Sequence, residues 1–215
     1  MSRGKLISFE GLDGSGKTTQ MDLLERWFIA RQLPYLRTRE PGGTRLGVEI
    51  RQLLFHRPDI VLTPLAEAFL FQADRAQHFT DVVLPALETG IHVVTDRCFD
   101  SSIAYQGVAR GVGVEVTERL SLLATQGHVP DLTILLDLDP EQVHARTDAS
   151  HDQSGLREQQ SRFDAENEAF HRQLREAFLM LAAKYPQRIH VLNAAQPQEQ
   201  IHQQIVALVS DVLDV

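Results

Sequence analysis

Gly11-Leu12-Asp13-Gly14-Ser15-Gly16-Lys17-Thr18 decides how the rest of the chain is read. It fits the phosphate-loop pattern G-x-x-x-x-G-K-[ST] at every fixed position. Its setting makes it more than a string match. Leu6 to Glu10 before it reads as a buried strand, and Thr18 to Arg31 after it reads as an amphipathic helix. Glycines let the backbone turn tightly and aim successive N–H groups inward, and the helix that follows adds its partly positive N-terminus. On this reading Gly11, Leu12, Asp13, Gly14, Ser15, Gly16, Lys17, Thr18 and Thr19 surround nucleotide phosphates. Lys17 reaches the outer ones and the Thr18 hydroxyl ligates Mg²⁺. The bland alternative is a glycine turn that binds nothing.

Strand-like apolar runs recur with helical stretches between them: Leu6 to Glu10, Tyr35 to Arg39, Ile91 to Thr95, Leu132 to Asp137 and Ile189 to Leu192. That alternation predicts an α/β fold, a five-stranded parallel sheet covered by helices on both faces. His92 breaks one of the apolar runs and is expected at a strand edge or in a hydrogen bond. Helices are expected over about Thr44 to Leu54, from Pro64 onward with Pro85 kinking or ending it, through Phe163, Phe170, Leu174, Phe178 and Leu181, and over Pro197 to Leu213. The polar stretch 147–160 reads as a mobile loop. No linker or repeat divides the 215 residues, so one domain is expected.

Composition narrows the function. A formal charge of −8 argues against a broad basic surface for nucleic acid or anionic lipid, so positive potential must be local. No apolar run reaches membrane-spanning length and the N-terminus leaves no room for a signal peptide, which predicts a cytoplasmic protein. The single Cys98 has no partner for an internal disulfide and reads as a packing residue.

In parallel sheets ligands sit beyond the carboxyl ends of the strands, and three of those ends carry charged clusters. Thr38-Arg39-Glu40-Pro41-Gly42-Gly43-Thr44 follows the second strand, with turn-formers, an X-Pro bond that can be cis, and Thr44 placed to cap a helix. It reads as an acceptor loop or as an ordinary turn with a solvated Arg39/Glu40 pair. Asp96-Arg97 follows the third strand, where the carboxylate can act on Mg²⁺ and the planar guanidinium can span two phosphates. Phe71 and Arg75, four apart, share a helix face, and Ser101, Ser102, Tyr105 and Gln106 lie near the same mouth.

Together, in this order, the phosphate loop with its Asp13, the 38–44 loop, Phe71 with Arg75, Asp96-Arg97, Ser101-Ser102 and Tyr105-Gln106 resemble the thymidylate kinase family, over nearly the whole chain. The resemblance implies the P-loop nucleoside monophosphate kinase fold, transfer of the terminal phosphoryl group of ATP to dTMP with Mg²⁺, and a homodimer for which the helix from Pro64 is a candidate interface. It implies that Arg39 and Arg97 hold the acceptor phosphate with Glu40 and Pro41 beside them. Phe71 would stack on thymine, Arg75 bond a thymine carbonyl, Ser102 or Gln106 read the base edge, Asp13 sit near the sugar 3′-hydroxyl and Tyr105 behind the sugar. Catalysis would rest on Lys17, Arg97, Asp96 and a lid arginine, Arg157 in preference to Arg146 or Arg162, since residues 12–15 carry no basic side chain. Cys98 and Ser161 depart from residues common in the family.

Two other readings stay open on the residues alone. A deoxynucleoside kinase or a kinase for another monophosphate would share the loop; the former needs a carboxylate base, for which Glu10 is available. A non-catalytic ATP-binding switch would bind nucleotide without transfer.

Overall fold

A computed structural model describes residues 3–143 and 167–215. Five parallel strands form one sheet in the order β2-β3-β1-β4-β5, with β1 Leu6–Glu10, β2 Tyr35–Arg39, β3 His92–Asp96, β4 Leu132–Asp137 and β5 Ile189–Asn193. All five residues of β1 are buried, as the central strand of a two-sided sheet requires, whereas β2 at one edge is only half-buried.

The alternation of side chains along β1 sorts the core into two layers. Ile7 and Phe9 face α1 (Lys17–Ala30), through Met21, Leu24 and Phe28, and the C-terminal helix α8 (Gln198–Leu213), through Ile201, Ile205 and Val209. Leu6 faces the other way, into Phe79, Val83, Leu87, Ile103, Leu174 and Phe178. The second layer is built from α3 (Pro64–His78), α4 (Leu84–Glu88), α5 (Phe99–Ser102), α6 (Val114–Ala124) and α7 (Glu168–Lys184). Helices on both faces therefore follow from burial on both faces of the strands.

Local rules hold at the caps. Thr44 opens α2 (Arg45–Phe55) by accepting from the Gly47 N–H at 3.0 Å, and Thr63 precedes Pro64 at the start of α3. Pro85 does not end the helical path. The backbone widens into a π-helical turn over Phe79–Val83, and Pro85 falls in the first turn of α4, where its missing N–H costs little. A second π-helical turn, Ile103–Ala109, carries Tyr105 and Gln106. His92 lies in the interior strand β3, and its Nδ1 accepts the Lys5 N–H at 3.1 Å, so the hydrogen bond accounts for it.

Candidate active site

The order of strands changes direction at β1, and the phosphate loop emerges there between the ends of β3 and β4. Gly16 caps α1 with φ 97°, a left-handed conformation that glycine adopts without penalty. Gly11 has φ 131°, and a Cβ there would stand 2.5 Å from the Leu136 carbonyl oxygen, so the loop passes β4 too closely for any side chain. Lys17 is buried, and its Nζ donates to the Gly11 and Leu12 carbonyls at 3.2 and 3.0 Å and lies 3.6 Å from Asp13. Burial lowers its pKa.

Beside the loop, parallel register sets Asp96 level with Phe9 on one side and Arg39 on the other. Arg97, the next residue, takes a left-handed φ of 64°, which a non-glycine residue holds only when its surroundings fix it. They do so here. Thr95 Oγ1 donates to the Arg97 carbonyl at 2.9 Å, and the Glu10 carboxylate accepts from the Cys98 and Ser101 N–H groups and from Ser101 Oγ. The guanidinium is thereby aimed across the loop, donating to Asp13 at 2.6 Å and to Ser101 at 3.1 Å, with Tyr105 beneath it at 5.1 Å. Glu10 is fully buried, its pKa pushed up to about 7 by that burial, and it faces this turn instead of the cleft. It is a brace for Arg97 and is poorly placed as a catalytic base.

A cleft open to solvent runs from Asp13 and Arg97 to Phe71 and Arg75 on α3. It is lined by Asp13, Glu40, Pro41, Phe71, Arg75, Arg97, Ser101, Ser102, Tyr105 and Gln106, every residue expected at the acceptor site except Arg39. Arg39 ends the edge strand β2 and is exposed. The Glu40-Pro41 bond is cis. Glu40 forms no solvated pair with Arg39; it is buried and accepts from Arg75 Nε at 2.8 Å. Although burial pushes the other way, Arg75 and His78 hold its carboxyl below the usual range. Ser102 Oγ accepts from Arg75 Nη1 at 2.8 Å, which leaves its own hydroxyl proton for a ligand, while the Gln106 amide donates to buried Glu67 at 3.0 Å.

The structure adds Arg51, Phe55 and Cys98 to the lining. Arg51 lies over the Phe55 ring at 5.0 Å and donates to the Pro41 carbonyl at 3.1 Å. Their spacing of four on a capped helix was the available signal, but it did not say that this face of α2 meets the cleft. Cys98 is fully buried, and burial raises its thiol pKa well above the usual value, in keeping with a packing role. The loop at 147–160 and Arg157, with Arg146, Ser161 and Arg162, lie outside the described residues.

Comparison with known proteins agrees with this geometry. The family model described as thymidylate kinase matches residues 9–205. The chain is 48% identical to the thymidylate kinase of Leifsonia xyli subsp. xyli, over 94% of this chain and 92% of the relative. It is 43% identical to that of Pelotomaculum thermopropionicum, over 99% and 95%. With that of Clostridium novyi the identity is 36%, over 95% and 98%. A match that begins inside β1 and runs into α8 takes in the loop, the cleft and both core layers, and by it the chain belongs to the thymidylate kinase family.

Proposed function

We propose that the chain, acting as one kinase domain, transfers the terminal phosphoryl group of ATP to dTMP, giving dTDP and ADP. The observation that carries this reading is the Asp13–Arg97 contact, which sets a guanidinium between the phosphate loop and a cleft floored by Phe71 and Arg75. Arg97 can then contact the phosphate donated and the phosphate that accepts it. Its planar fork suits two oxygens at once, and its charge persists as negative charge moves between them. The acceptor is itself a phosphate, so no strong base is needed; alignment and charge neutralisation do the work.

Lys17 binds the outer phosphates of ATP, together with the backbone N–H groups of residues 11–19. At the acceptor end Phe71 stacks on the base, Arg75 donates to a thymine carbonyl and Ser102 donates or accepts beside it. Tyr105 sits behind the sugar, Asp13 near its 3′-hydroxyl, and Arg39, with Glu40 and Pro41 alongside, at the entrance for the acceptor phosphate. Mg²⁺ fits the oxygens at this mouth. Among the described residues Asp96 Oδ1 and Ser15 Oγ are buried with no hydrogen-bond partner, and Thr18 follows Lys17 at the start of α1. Asp96, through water, and the Thr18 hydroxyl would hold the ion. Bound there, it would neutralise phosphate charge.

With ATP and dTMP as substrates we infer a cytoplasmic enzyme; no described helix is long and apolar enough to cross a membrane. Exposed Leu65 and Phe69, four apart on α3, are the part of that helix proposed to meet a second copy. Sedimentation tests this: a species near 24.2 kDa at micromolar concentration would exclude the dimer.

The test of the reaction is ADP release with ATP and Mg²⁺ across dTMP, dUMP, dCMP, dGMP, dAMP and thymidine. Rapid release with dTMP alone is expected. Release with thymidine but not dTMP would favour a deoxynucleoside kinase, and no acceleration by any of them would leave a nucleotide-binding switch.

A further inference from the structure

We propose that His78 is a positioning residue for base recognition, acting through Glu40 on the guanidinium of Arg75. The inference rests on the reading of the cleft as the dTMP site. Arg75 is 1% exposed, so each of its five N–H groups needs an acceptor. Nε donates to Glu40 Oε2 at 2.8 Å. Nη1 is surrounded by Ser102 Oγ at 2.8 Å, Gln72 Oε1 at 3.1 Å and Ser121 Oγ at 3.2 Å. Nη2 donates to the Cys98 carbonyl at 2.8 Å. Among the described residues one N–H on Nη2 remains without a protein acceptor, on a side chain that lines the cleft.

Where that proton points depends on the tilt of the guanidinium plane, and the Nε–Glu40 bond is the contact that fixes the tilt at its root. Glu40 is in turn held from behind. Its Oε1 lies 2.9 Å from His78 Nδ1, and His78 Nε2 lies 2.7 Å from Thr38 Oγ1 on β2. An ionised carboxylate only accepts, so Nδ1 carries a proton and donates it to Glu40, while Nε2 and the Thr38 hydroxyl share the second hydrogen bond. The imidazole has no exposed surface, and the Gly43 backbone passes so close that a Cβ built there would lie 2.4 Å from its Cδ2. A rigid series of contacts thus runs from the edge strand to the donor in the cleft. His78 does not line the cleft itself.

The test compares wild type, His78→Ala and His78→Asn in steady-state assays with ATP and dTMP each varied, and follows melting of each protein. His78→Ala is expected to raise KM for dTMP roughly tenfold, the scale of one misaligned charge-assisted hydrogen bond, with KM for ATP within about twofold of wild type. His78→Asn keeps an N–H close to the position of Nδ1 and should return KM for dTMP to within about threefold of wild type. Thr38→Val, at a half-buried site, removes only the hydroxyl and serves where the alanine variant does not fold; a rise in KM for dTMP alone is again expected. An unchanged KM for dTMP in a folded variant, an equal rise in both KM values, or failure of asparagine to rescue would overturn the proposal. A wild-type protein that ignores dTMP would instead overturn the reading of the cleft.

Discussion

Nη2 of Arg97 stands 2.6 Å from Oδ1 of Asp13, a contact across 84 residues that joins the turn after β3 to the phosphate loop. Because Arg97 also donates to Ser101, its fork is already spread at the place where two phosphates would meet. Arg97→Ala is therefore expected to lower kcat/KM for dTMP by about 10²- to 10³-fold, the usual cost of removing a group that stabilises transition-state charge. Arg97→Lys should lose at least about tenfold, because an ammonium keeps the charge without the planar fork. Equal binding of a non-hydrolysable ATP analogue by wild type and both variants would show that the ATP side is intact.

Glu10 makes stability pH-dependent. Burial raises its pKa from 4.5 to about 7, so the folded protein holds a proton that the unfolded chain has released. Between about pH 4.5 and 7 the unfolded state binds fewer protons, and stability falls as pH rises; above about 7 both states are ionised and the slope ends. Glu10→Gln removes the titration. Relative to that variant, wild type should lose on the order of 3 kcal/mol across this window. Urea denaturation of both proteins at pH 5, 6, 7 and 8 checks it, and a stability of wild type relative to Glu10→Gln that stays level or rises with pH would contradict the burial of this carboxyl.

Gly47 reverses the usual helix rule. Glycine to alanine inside a helix ordinarily gains about 1 kcal/mol. At this position the new Cβ would meet Asp74 Oδ1 at 2.3 Å and Gly42 Cα and N at 3.2 Å, and Asp74 Oδ1 is the acceptor for the Gly42 N–H. Gly47→Ala should therefore destabilise by about 1–3 kcal/mol, as overpacking does. The same shift moves the loop that carries Pro41, so KM for dTMP should rise as well. A denaturation midpoint at or above wild type would refute this.

Asp100 and Arg188 form a bidentate pair at 2.6 and 2.7 Å, with Asp100 1% exposed. The pair ties α5, next to Arg97, to the start of β5. Asp100→Ala strands a guanidinium and should cost about 3–5 kcal/mol, whereas Asp100→Leu combined with Arg188→Met should cost less than the single change, because no buried charge is left alone. Thermal melts of the three proteins decide it.

Local sequence determined a good deal of this protein. The glycines and Lys17 specified the phosphate loop, because tight turning and phosphate binding are properties of consecutive residues. Apolar runs specified five strands, Thr44 and Pro64 marked helix starts, and Phe71 and Arg75 were assigned to one face by spacing alone. The tertiary structure decided what those residues meet. Glu10 looked available as a base, yet its carboxylate is committed to N–H groups 88 and 91 residues away. Glu40 read equally as part of an acceptor loop or as half of a solvated pair until α3 brought Arg75 and His78 to it from 35 and 38 residues on. Neither Arg51, set beside Phe55 by spacing alone, nor Ser121 revealed its role, since a helix face names its own neighbours and not the element it will pack against. Pro85 was read as a break because proline removes one hydrogen bond, and the fold met that loss with a wider turn just before it. Periodicity and turn chemistry act over a few residues and are legible in the chain; the partners of buried charges are set by strand order and helix docking, which only the folded molecule contains.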